Sequence, residues 1–436
     1  MFLQNAISKR INDNNPVKVA LIGAGKFGSM FLSQVPSTFG IEVLVIADLK
    51  PENAIKACKN VGWSDDLINK TKFVDKGADA IKLNEVEVVI EATGFPAAGI
   101  EHARQAFQNG KHIIMVNVEA DVLAGAALAK EANSVGVVYS MAYGDQPALT
   151  AEIVEWARAS GFNVTSAGKG TRYQPIYHKS SPDTVWDYYG LTHEEARKAG
   201  MNPKMFNSFL DGTKSGLEMA AIANACDLEV PTNGLLFPPC GMDDLANILK
   251  PLEFGGLLEK NGQVEVVSSL ERDGRPVFKD LRWGVYAVLE APNDYAASCF
   301  KQYGMNTDDT GKYSAMYKPF HLIGMELNIS VFSAALLNQA TGQTKKFTGD
   351  VVSTTKKNLK KGEILDGEGG ATVWGKLVPS KLSLSMEALP IGLAHGIKLK
   401  NEIKENKIIT WNDVDFSSND PAISYRRKME KDFKKS

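Results

Sequence analysis

Short apolar runs alternate with helix-compatible stretches along the first part of the chain. The runs 17-VKVALIG-23 and 41-IEVLVIAD-48 are rich in β-branched residues, and the pattern returns in 86-VEVVIEATG-94 and 112-HIIMVN-117. A short apolar run bounded by turn residues is typical of a strand buried on both faces. Because strands that alternate with helices form parallel sheets, residues 1–160 are predicted to fold as an α/β domain.

The regular alternation ends after a predicted helix at 147–161. The next region mixes strands and helices, with its clearest helix at 214–226 and a strand at 285–291. Such mixing is typical of an α+β domain. We place this second domain at 161–348.

The last part of the chain, 349–436, consists of short β-type runs broken by Gly, Lys and Asp. This pattern predicts a small β-rich domain of low helix content. The lysines at 356, 357, 360 and 361 are predicted to form a solvated face of that domain.

Composition and charge exclude several classes of partner. Of the 436 residues 44% are hydrophobic, and 49 basic against 51 acidic side chains give a net charge of −2. This balance argues against nucleic-acid or membrane partners recruited by bulk charge. The N-terminal apolar stretch is too short for a signal peptide, so we expect a cytoplasmic protein. Without paired or metal-type spacing, four cysteines are predicted to be free thiols: Cys58, Cys226, Cys240 and Cys299.

The segment 21-LIGAGKFGSM-30 lies between a predicted strand and a predicted helix and has the spacing G-x-G-x-x-G at Gly23, Gly25 and Gly28. In such a motif the first glycine permits a tight turn, the second lets a pyrophosphate approach, and the third allows close helix packing. The helix N-terminus adds N–H groups for the phosphates. The segment therefore predicts a Rossmann-type dinucleotide site, to which we also assign Lys26 and Phe27.

Asp48 ends the second strand, twenty residues beyond the last glycine of the motif. A carboxylate there accepts hydrogen bonds from the adenosine ribose and favours NAD, whereas Lys50 favours NADP, so the choice of cofactor stays open. Thr93, Gly94 and Asn117 follow later strands at the carboxyl edge of the sheet. They are predicted to line the nicotinamide half of the site, with ordinary loop capping as the alternative.

The segment 169-KGTRYQPIYHKSSPDT-184 is densely polar and follows a predicted strand at 162–167. Cations and hydroxyls on such a loop match a small anionic substrate, most simply a phosphate or a carboxylate. A solvated basic loop is the alternative, and Ser181 followed by proline is a typical helix start. We assign His178 and Lys169 to catalysis, and four side chains to substrate binding: Arg172, Tyr173, Lys179 and Ser180.

The segment 208-SFLDGTKSGLEMA-220 places Asp211 in a turn before a helix that carries Lys214 and Glu218. The two charged residues are four apart and share one helix face. Such a pair is either a surface ion pair worth a few tenths of a kcal/mol or a catalytic pair. In the catalytic interpretation Lys214 stabilises a developing alkoxide or enolate, Glu218 orients or relays its proton, and Asp211 contacts the substrate.

A third polar group interrupts the apolar segment 317-YKPFHLIGMELNISV-331. Polar side chains in apolar surroundings need partners because their burial is otherwise costly. Lys318 and His321 are therefore candidates for substrate contact, with a satisfied core histidine as the alternative for His321.

Together with the glycine motif, five segments resemble the 1-deoxy-D-xylulose 5-phosphate reductoisomerase-like (DXR-like, DRL) oxidoreductases over nearly the whole chain. They are AGKGTRYQPIYHKSSPDTVWDYYG, SFLDGTKSGLEMAAIANA, YKPFHLIGMELNISV, KKGEILDGEGG and LPIGLAHGIKL. The resemblance implies a nucleotide domain like that of homoserine dehydrogenase, a separate catalytic domain and a C-terminal SAF domain. Related folds also make a homodimer the expected assembly.

The resemblance implies reductive isomerisation of 1-deoxy-D-xylulose 5-phosphate to 2-C-methyl-D-erythritol 4-phosphate with NADPH, a step of isoprenoid precursor synthesis. The Asp-Ser-Glu-His metal segment of ordinary reductoisomerases is absent from the sequence, which leaves Mg²⁺ or Mn²⁺ dependence open. The same scaffold also suits a dehydrogenase of another small hydroxy acid, aldehyde or sugar phosphate. A non-catalytic NAD(P)-binding sensor is the remaining alternative.

Overall fold

The computed structural model describes residues 3–434. Its strands are β1 (Val17–Ile22), β2 (Ile41–Ala47), β3 (Lys72–Val74), β4 (Val88–Glu91), β5 (His112–Met115), β6 (Tyr139–Met141), β7 (Asn163–Thr171), β8 (Gln263–Ser268), β9 (Val285–Glu290), β10 (Tyr313–Lys318), β11 (Gly349–Thr355), β12 (Ile364–Asp366), β13 (Val373–Pro379), β14 (His395–Leu399) and β15 (Val414–Asp415).

The α-helices are α1 (Gln4–Asn12), α2 (Lys26–Gln34), α3 (Pro51–Asn60), α4 (Asp65–Lys70), α5 (Gly77–Ile81), α6 (Pro96–Gln108), α7 (Val118–Ser134), α8 (Gln146–Ala159), α9 (Val185–Tyr189), α10 (His193–Lys198), α11 (Pro203–Leu210), α12 (Thr213–Cys226), α13 (Leu245–Ile248), α14 (Asp294–Gln302), α15 (Asn328–Leu337), α16 (Ser380–Met386) and α17 (Pro421–Lys434). Short 3₁₀ helices lie at Val35–Ser37, Pro175–Lys179, Met242–Asp244, Leu252–Phe254, Ile391–Leu393 and Trp411–Asp413.

The chain forms two compact units, of which unit 1 comprises Met1–Glu152 and His321–Lys345. Strands β1 to β6 form one parallel sheet in the order β3-β2-β1-β4-β5-β6. Strand β4 is buried at every position, which requires cover on both faces of the sheet. The predicted α/β class is confirmed, and the strand order reverses between β1 and β4, where open α/β sheets bind ligands.

Helix α15 belongs to unit 1 although a long stretch of chain separates it from the sheet. It packs against β1, β4, β5 and β6. Leu327, Val331 and Phe332 join the same apolar core as Val19 and Ile90 of the sheet. Burial of this apolar face explains why the chain returns to unit 1 at this point.

Unit 2 comprises Ile153–Phe320 and Lys346–Ser436. Its main sheet has the order β10-β9-β7-β8, in which β7 is parallel to β8 and antiparallel to β9. Helix α12 is buried at every residue from Ser215 to Cys226 and packs against β7, β8, β11 and β13. The compact units and the three predicted sequence domains divide the chain differently, and the boundaries near 160 and 348 stay predictions.

The helix predicted to begin at Ser181 begins at Val185 instead. Residues 181–184 form a turn in which the Ser181 carbonyl oxygen accepts hydrogen bonds from the N–H groups of Thr184 and Val185, at 3.0 and 2.9 Å. The Ser181 N–H donates to the Thr184 hydroxyl at 3.0 Å. The serine and proline therefore start a turn that precedes the helix, and the N-cap position falls on Thr184.

The C-terminal region is less exclusively β than predicted. Strands β11 and β13 pair with each other, and β12, β14 and β15 form a small sheet, but the region ends in the 14-residue helix α17. The sequence of α17 has no apolar run, and its buried face includes Arg426 and Glu430 beside Ile423 and Met429. A buried ion pair on the helix thus replaces part of the apolar stripe that marks most packed helices.

Two further observations concern the whole described chain. Across residues 3–434, no helix combines the length and the apolar character needed to cross a membrane. All four cysteines are free thiols; three are buried and Cys299 is partly exposed.

We expect Arg426→Met to lower the free energy of unfolding by about 3–5 kcal/mol, because it removes the buried cation that the carboxylates of Asp350 and Glu430 share. The guanidinium donates to Glu430 Oε1 at 2.9 Å and to Asp350 Oδ2 at 2.5 Å. Glu430 keeps the half-buried Arg427 as a second partner at 2.6 Å, so most of the loss comes from Asp350, whose single cation within residues 3–434 is removed. Urea unfolding followed by circular dichroism measures the change. The matched control is Lys428→Met on the exposed face of the same helix, and an equal loss in both variants would contradict the assignment.

Candidate functional site

The glycine motif of unit 1 forms the turn between β1 and α2. Gly23 has φ of +95°, and a Cβ atom there would lie 2.7 Å from the Ala92 carbonyl oxygen. A Cβ atom at Gly28 would lie 2.4 Å from the Gly23 carbonyl oxygen, whereas one at Gly25 would meet nothing within 4 Å. The outer glycines therefore permit packing inside the protein, and the middle one borders open space at the start of α2, where a pyrophosphate can approach.

Asp48 connects the end of β2 to this turn. Its Oδ2 accepts a hydrogen bond from the Ala24 N–H and its Oδ1 accepts one from the Lys50 N–H, both at 3.1 Å. Each carboxylate oxygen has a second lone pair, so both can also accept from ribose hydroxyls. Lys26 and Lys50 are exposed and Phe27 is half-buried beside the motif.

The loop after β4 contains the next group of predicted cofactor residues. Thr93 and Gly94 are exposed, and the Thr93 hydroxyl donates to Glu91 Oε1 at 2.5 Å. Asn117 is buried; its side-chain N–H donates to the Phe95 carbonyl at 3.0 Å and its Oδ1 accepts from the Ala120 N–H at 3.1 Å. Asn117 thus caps α7 and braces the loop that carries Thr93 and Gly94, as the capping alternative describes.

Lys169 and Glu218 form an ion pair in the interior of unit 2. Lys169 lies on β7 and Glu218 on α12, and their side chains are 6% and 5% exposed. Burying two charges is costly unless they are paired. Lys214 lies one turn before Glu218 and is half-buried. The structure therefore brings three of the predicted catalytic residues to one region of α12.

His178 belongs to a second cluster, with its two ring nitrogens held by different partners. Nδ1 lies 2.7 Å from the carbonyl oxygen of Asp211, and Nε2 lies 2.9 Å from the hydroxyl of Tyr173. A carbonyl only accepts, so Nδ1 carries the proton and Nε2 accepts from the tyrosine. Burial lowers the pKa of His178 and raises that of Tyr173. At neutral pH the pair is therefore an uncharged donor–acceptor relay.

Lys356 was predicted to lie on a solvated face, and this prediction is wrong. Its ammonium group is buried and donates to Asp211 Oδ2, to the Ser180 carbonyl and to the Gly370 carbonyl, each at 2.7 Å. The lysines at 357, 360 and 361 are exposed as predicted. The strand immediately before Lys356 is buried along its whole length, but residues 351–355 are VVSTT, and this half-polar sequence does not indicate the burial.

Other predicted substrate residues are engaged elsewhere. Arg172 donates from Nη2 to the Tyr188 carbonyl at 3.0 Å, and Lys179 forms an exposed ion pair with Glu405 at 2.7 Å. The buried Ser180 hydroxyl donates to the side-chain oxygen Oδ1 of Asn207 at 2.6 Å. Lys318 ends β10 in unit 2, whereas His321 lies in unit 1; both are half-buried. Of these residues, Ser180 joins the network of Lys356 and Asp211.

A cleft of about 170 Å³ in unit 2 is bordered by His178. The ring of Trp374 on β13 lies 4.1 Å from the imidazole, centroid to centroid, and Lys376 follows two residues later. Phe237 and Asn233 line another wall. Small and apolar residues complete the lining: Gly212, Gly216, Gly234, Leu235, Gly375 and Leu377. The cleft thus combines an imidazole, a cation and apolar ring surfaces, the usual ingredients of a small-molecule site.

One wall of the cleft is held by a buried carboxylate and a guanidinium. Glu265 on β8 accepts hydrogen bonds from the N–H groups of Leu236 and Phe237, at 3.1 and 3.3 Å. Arg272 donates to the carbonyls of the same two residues, both at 3.1 Å. Phe237 has φ of +51°, a left-handed conformation that is unfavourable for a non-glycine residue. The hydrogen bonds from Glu265 and Arg272 to this segment therefore hold Phe237 in a backbone conformation that costs conformational free energy.

The buried carboxylates of Asp211 and Glu218 do not fit Mg²⁺ or Mn²⁺. Asp211 is bound by Lys356 and Glu218 by Lys169, whereas hard divalent cations take several free oxygen ligands. Within residues 3–434, no group of three or more His, Cys, Asp and Glu side chains is arranged to hold a metal ion. No catalytic step is therefore assigned to these carboxylates as metal ligands.

Two family models match the chain. Residues 144–327 match the family described as the catalytic domain of oxidoreductase DRL, and residues 23–142 match the NAD-binding domain of homoserine dehydrogenase. The two matches support the DRL oxidoreductase family and identify the chain as an NAD(P)-dependent oxidoreductase. No curated protein sequence matches the chain.

Solved structures overlap with only part of the protein. Myo-inositol dehydrogenase from Lactobacillus casei is 16% identical, with a TM-score of 0.29 over 39% of this chain and 50% of that one. Biliverdin reductase from Synechocystis is 16% identical (TM-score 0.28; 37% and 48%), and an oxidoreductase domain protein from Kribbella flavida is 18% identical (TM-score 0.28; 38% and 46%). The chain thus matches about half of each structure, and the class of the protein rests on the family models.

We expect Gly25→Val to weaken NADH and NADPH binding at least about tenfold while leaving the protein folded. A Cβ atom at this position meets no protein atom within 4 Å, and the branched side chain extends into the space in which a pyrophosphate lies in such motifs. Fluorescence titration with both cofactors measures the affinity, and thermal unfolding reports the fold. Gly28→Val is the opposite control, because its side chain collides with the Gly23 carbonyl and should destabilise unit 1. Normal cofactor affinity in folded Gly25→Val would exclude this dinucleotide site.

The buried carboxyl of Glu265 should make stability depend on pH. Burial raises its pKa from 4.5 to about 7, against the opposing effect of three backbone N–H donors. Because the folded state binds this proton more tightly than the unfolded chain, the stabilisation is complete below pH 4.5 and is lost as the pH rises through 7. Relative to Glu265→Gln, the unfolding free energy of the wild type should therefore fall by on the order of 3 kcal/mol across this range. Urea unfolding at several pH values tests this, and parallel pH profiles for the two proteins would refute it.

Proposed function

We propose that this protein reductively isomerises 1-deoxy-D-xylulose 5-phosphate to 2-C-methyl-D-erythritol 4-phosphate, a step toward isoprenoid precursors. The observation that carries the proposal is the buried Lys169–Glu218 pair beside Lys214, within the segment that matches the DRL catalytic domain. A desolvated lysine suits the stabilisation of an oxyanion that develops during reaction, and a buried carboxylate paired with a lysine fixes the position of that lysine. The bound cofactor supplies the hydride for the reduction.

The residues of α12 and β7 would act on the carbonyl oxygens of the substrate. Lys214 stabilises the alkoxide or enolate of the rearrangement and then delivers a proton to the oxygen of the aldehyde as its carbon receives the hydride. Glu218 orients the two lysines, Lys214 and Lys169, by holding negative charge near both. The neutral relay of Tyr173 and His178 provides a second route for a proton.

A second candidate is a dehydrogenase of another small hydroxy acid, aldehyde or sugar phosphate. Two observations favour it. The carboxylate of Asp48 at the glycine turn disfavours a 2′-phosphate and so favours NAD. Asp211 and Glu218 are bound by lysines rather than available to a metal. A non-catalytic sensor would bind the cofactor without turning over any substrate.

The remaining proposals concern substrate class and assembly. We propose a small anionic, phosphorylated substrate, in keeping with the polar residues that surround α12. The SAF character of residues 349–436, the homodimer and the cytoplasmic location stay predictions from the sequence.

The test follows NADPH and NADH oxidation at 340 nm with 1-deoxy-D-xylulose 5-phosphate, with and without Mg²⁺ or Mn²⁺. We expect turnover by the wild type and a loss of about a hundredfold or more in kcat for Lys214→Met, since general acid catalysis contributes this much. Cofactor affinity should be unchanged in the variant. Lys198→Met is the matched control, because Lys198 forms an ion pair with Glu194 one turn away on an exposed helix.

The outcomes test the role of Lys214 and distinguish between the candidate functions. Unchanged turnover in Lys214→Met would remove Lys214 from the mechanism. No turnover by the wild type, with tight cofactor binding, would reject the isomerisation, and activity on other hydroxy acids, aldehydes or sugar phosphates would then establish the second candidate. If no compound of any of these classes were turned over, the non-catalytic sensor would be the remaining candidate.

A further inference from the structure

We propose that the cleft between His178, Trp374 and Lys376 binds the anionic end of a small hydroxylated substrate, with Lys376 as the cation that contacts the phosphate or carboxylate. This inference rests on the proposed function, since it names the substrate subsite of the same unit. It replaces the sequence-based assignment of this role to Arg172 and Lys179.

The other basic side chains considered for an anionic substrate have partners or lie away from the cleft. Arg172 donates to a backbone carbonyl and does not line the cleft, and Lys179 pairs with Glu405 on the surface. Lys169 and Lys356 are buried against carboxylates. By contrast, Lys376 lines the cleft and forms no ion pair with any carboxylate in residues 3–434. A half-buried cation that faces a cleft without a counter-ion is best satisfied by an anionic ligand.

His178 contributes no positive charge to the cleft. Burial lowers the pKa of this imidazole, and the positive charges of Lys356 and Lys376 lower it further, although the Asp211 carbonyl opposes the shift. The imidazole bordering the cleft is therefore neutral and adds no positive charge of its own. An anion that enters the cleft meets the ammonium of Lys376, and the neutral ring beside it forms a surface for the uncharged part of the ligand.

The cleft has room for a small ligand beside the imidazole and the ammonium group. About 170 Å³ is below the roughly 300 Å³ of pockets for drug-sized ligands, so the ligand is small. A Cβ atom at Gly212 would lie 3.1 Å from His178 Cε1, and one at Gly234 would lie 3.1 Å from Lys376 Cε. Glycine at these two positions thus leaves the imidazole and the ammonium uncrowded. The ring of Trp374 offers a face against which the C–H groups of a polyol can pack.

Hydrogen bonds within the protein hold both walls of the cleft, at Phe237 and at His178. The strained backbone at Phe237 is held by Glu265 and Arg272. The opposite wall is held by Lys356, which anchors Asp211 and through its carbonyl the ring of His178. Preorganised walls reduce the conformational entropy that ligand binding must overcome.

The test measures binding to the full chain by isothermal titration calorimetry, using probes that share one three-carbon skeleton. Glycerol 3-phosphate and D-glycerate present the two anionic groups, and glycerol presents neither. We expect one of the anions to bind and glycerol not to bind. Lys376→Met should weaken anion binding at least about tenfold, as expected for loss of a charge-assisted contact, whereas Lys376→Arg should keep most of it. The matched control is Lys381→Met, an exposed lysine on α16.

Three results would overturn the proposal. They are no heat of binding with either anion, unchanged affinity in Lys376→Met, and an equal loss in Lys381→Met. Thermal unfolding and NADH titration of each variant show whether both units remain folded, and Lys376→Gln provides a second neutral variant should Lys376→Met unfold.

The outcome is independent of the proposed reaction. Anion binding that depends on Lys376, without turnover of 1-deoxy-D-xylulose 5-phosphate, would keep the subsite and reject the reaction. Turnover whose KM is the same in the wild type and Lys376→Met would keep the reaction and reject the subsite.

Discussion

The buried ammonium group of Lys356 connects three segments of unit 2 that are distant in sequence. Its three N–H donors reach the Asp211 carboxylate, the Ser180 carbonyl and the Gly370 carbonyl, each at 2.7 Å, which uses its full donor capacity. Asp211 in turn accepts from the Thr213 N–H at the start of α12 and presents its carbonyl to His178. The position of the imidazole, and the beginning of the central helix, therefore depend on one lysine that the C-terminal region supplies.

Local sequence patterns predicted the parts of the fold that local physics determines. Strands covered on both faces must be apolar along their length, so β1, β2, β4 and β5 are visible in the sequence. The glycine turn at Gly23 requires φ of +95° and close contact with Ala92, which few residues other than glycine tolerate. Placement of α15 in unit 1 and the helix α17 were not predictable in this way, because both depend on partners remote in sequence.

The candidate site shows the same division between residue type and residue partner. Local sequence patterns single out the polar segments that contain Lys169, His178, Asp211 and Glu218, but they do not indicate which charges meet. Glu218 lies at i+4 from Lys214, yet its buried partner is Lys169 on another element. Lys376 lies on β13 and Lys356 directly follows β11, so the surroundings of these two lysines follow from the pairing of the two strands and from their packing on α12.

Buried carboxylates of unit 2 differ in what neutralises them, and this difference has a chemical consequence. Asp211, Glu218 and Asp350 each contact a lysine or an arginine. Glu265 instead accepts hydrogen bonds from backbone N–H groups, and burial raises its pKa to about 7. Ionisation strengthens these hydrogen bonds, but the raised pKa shows that the cost of burying the charge outweighs that gain. The other three carboxylates are thus held by cations, while the wall of the cleft depends on a carboxyl group that titrates near neutral pH.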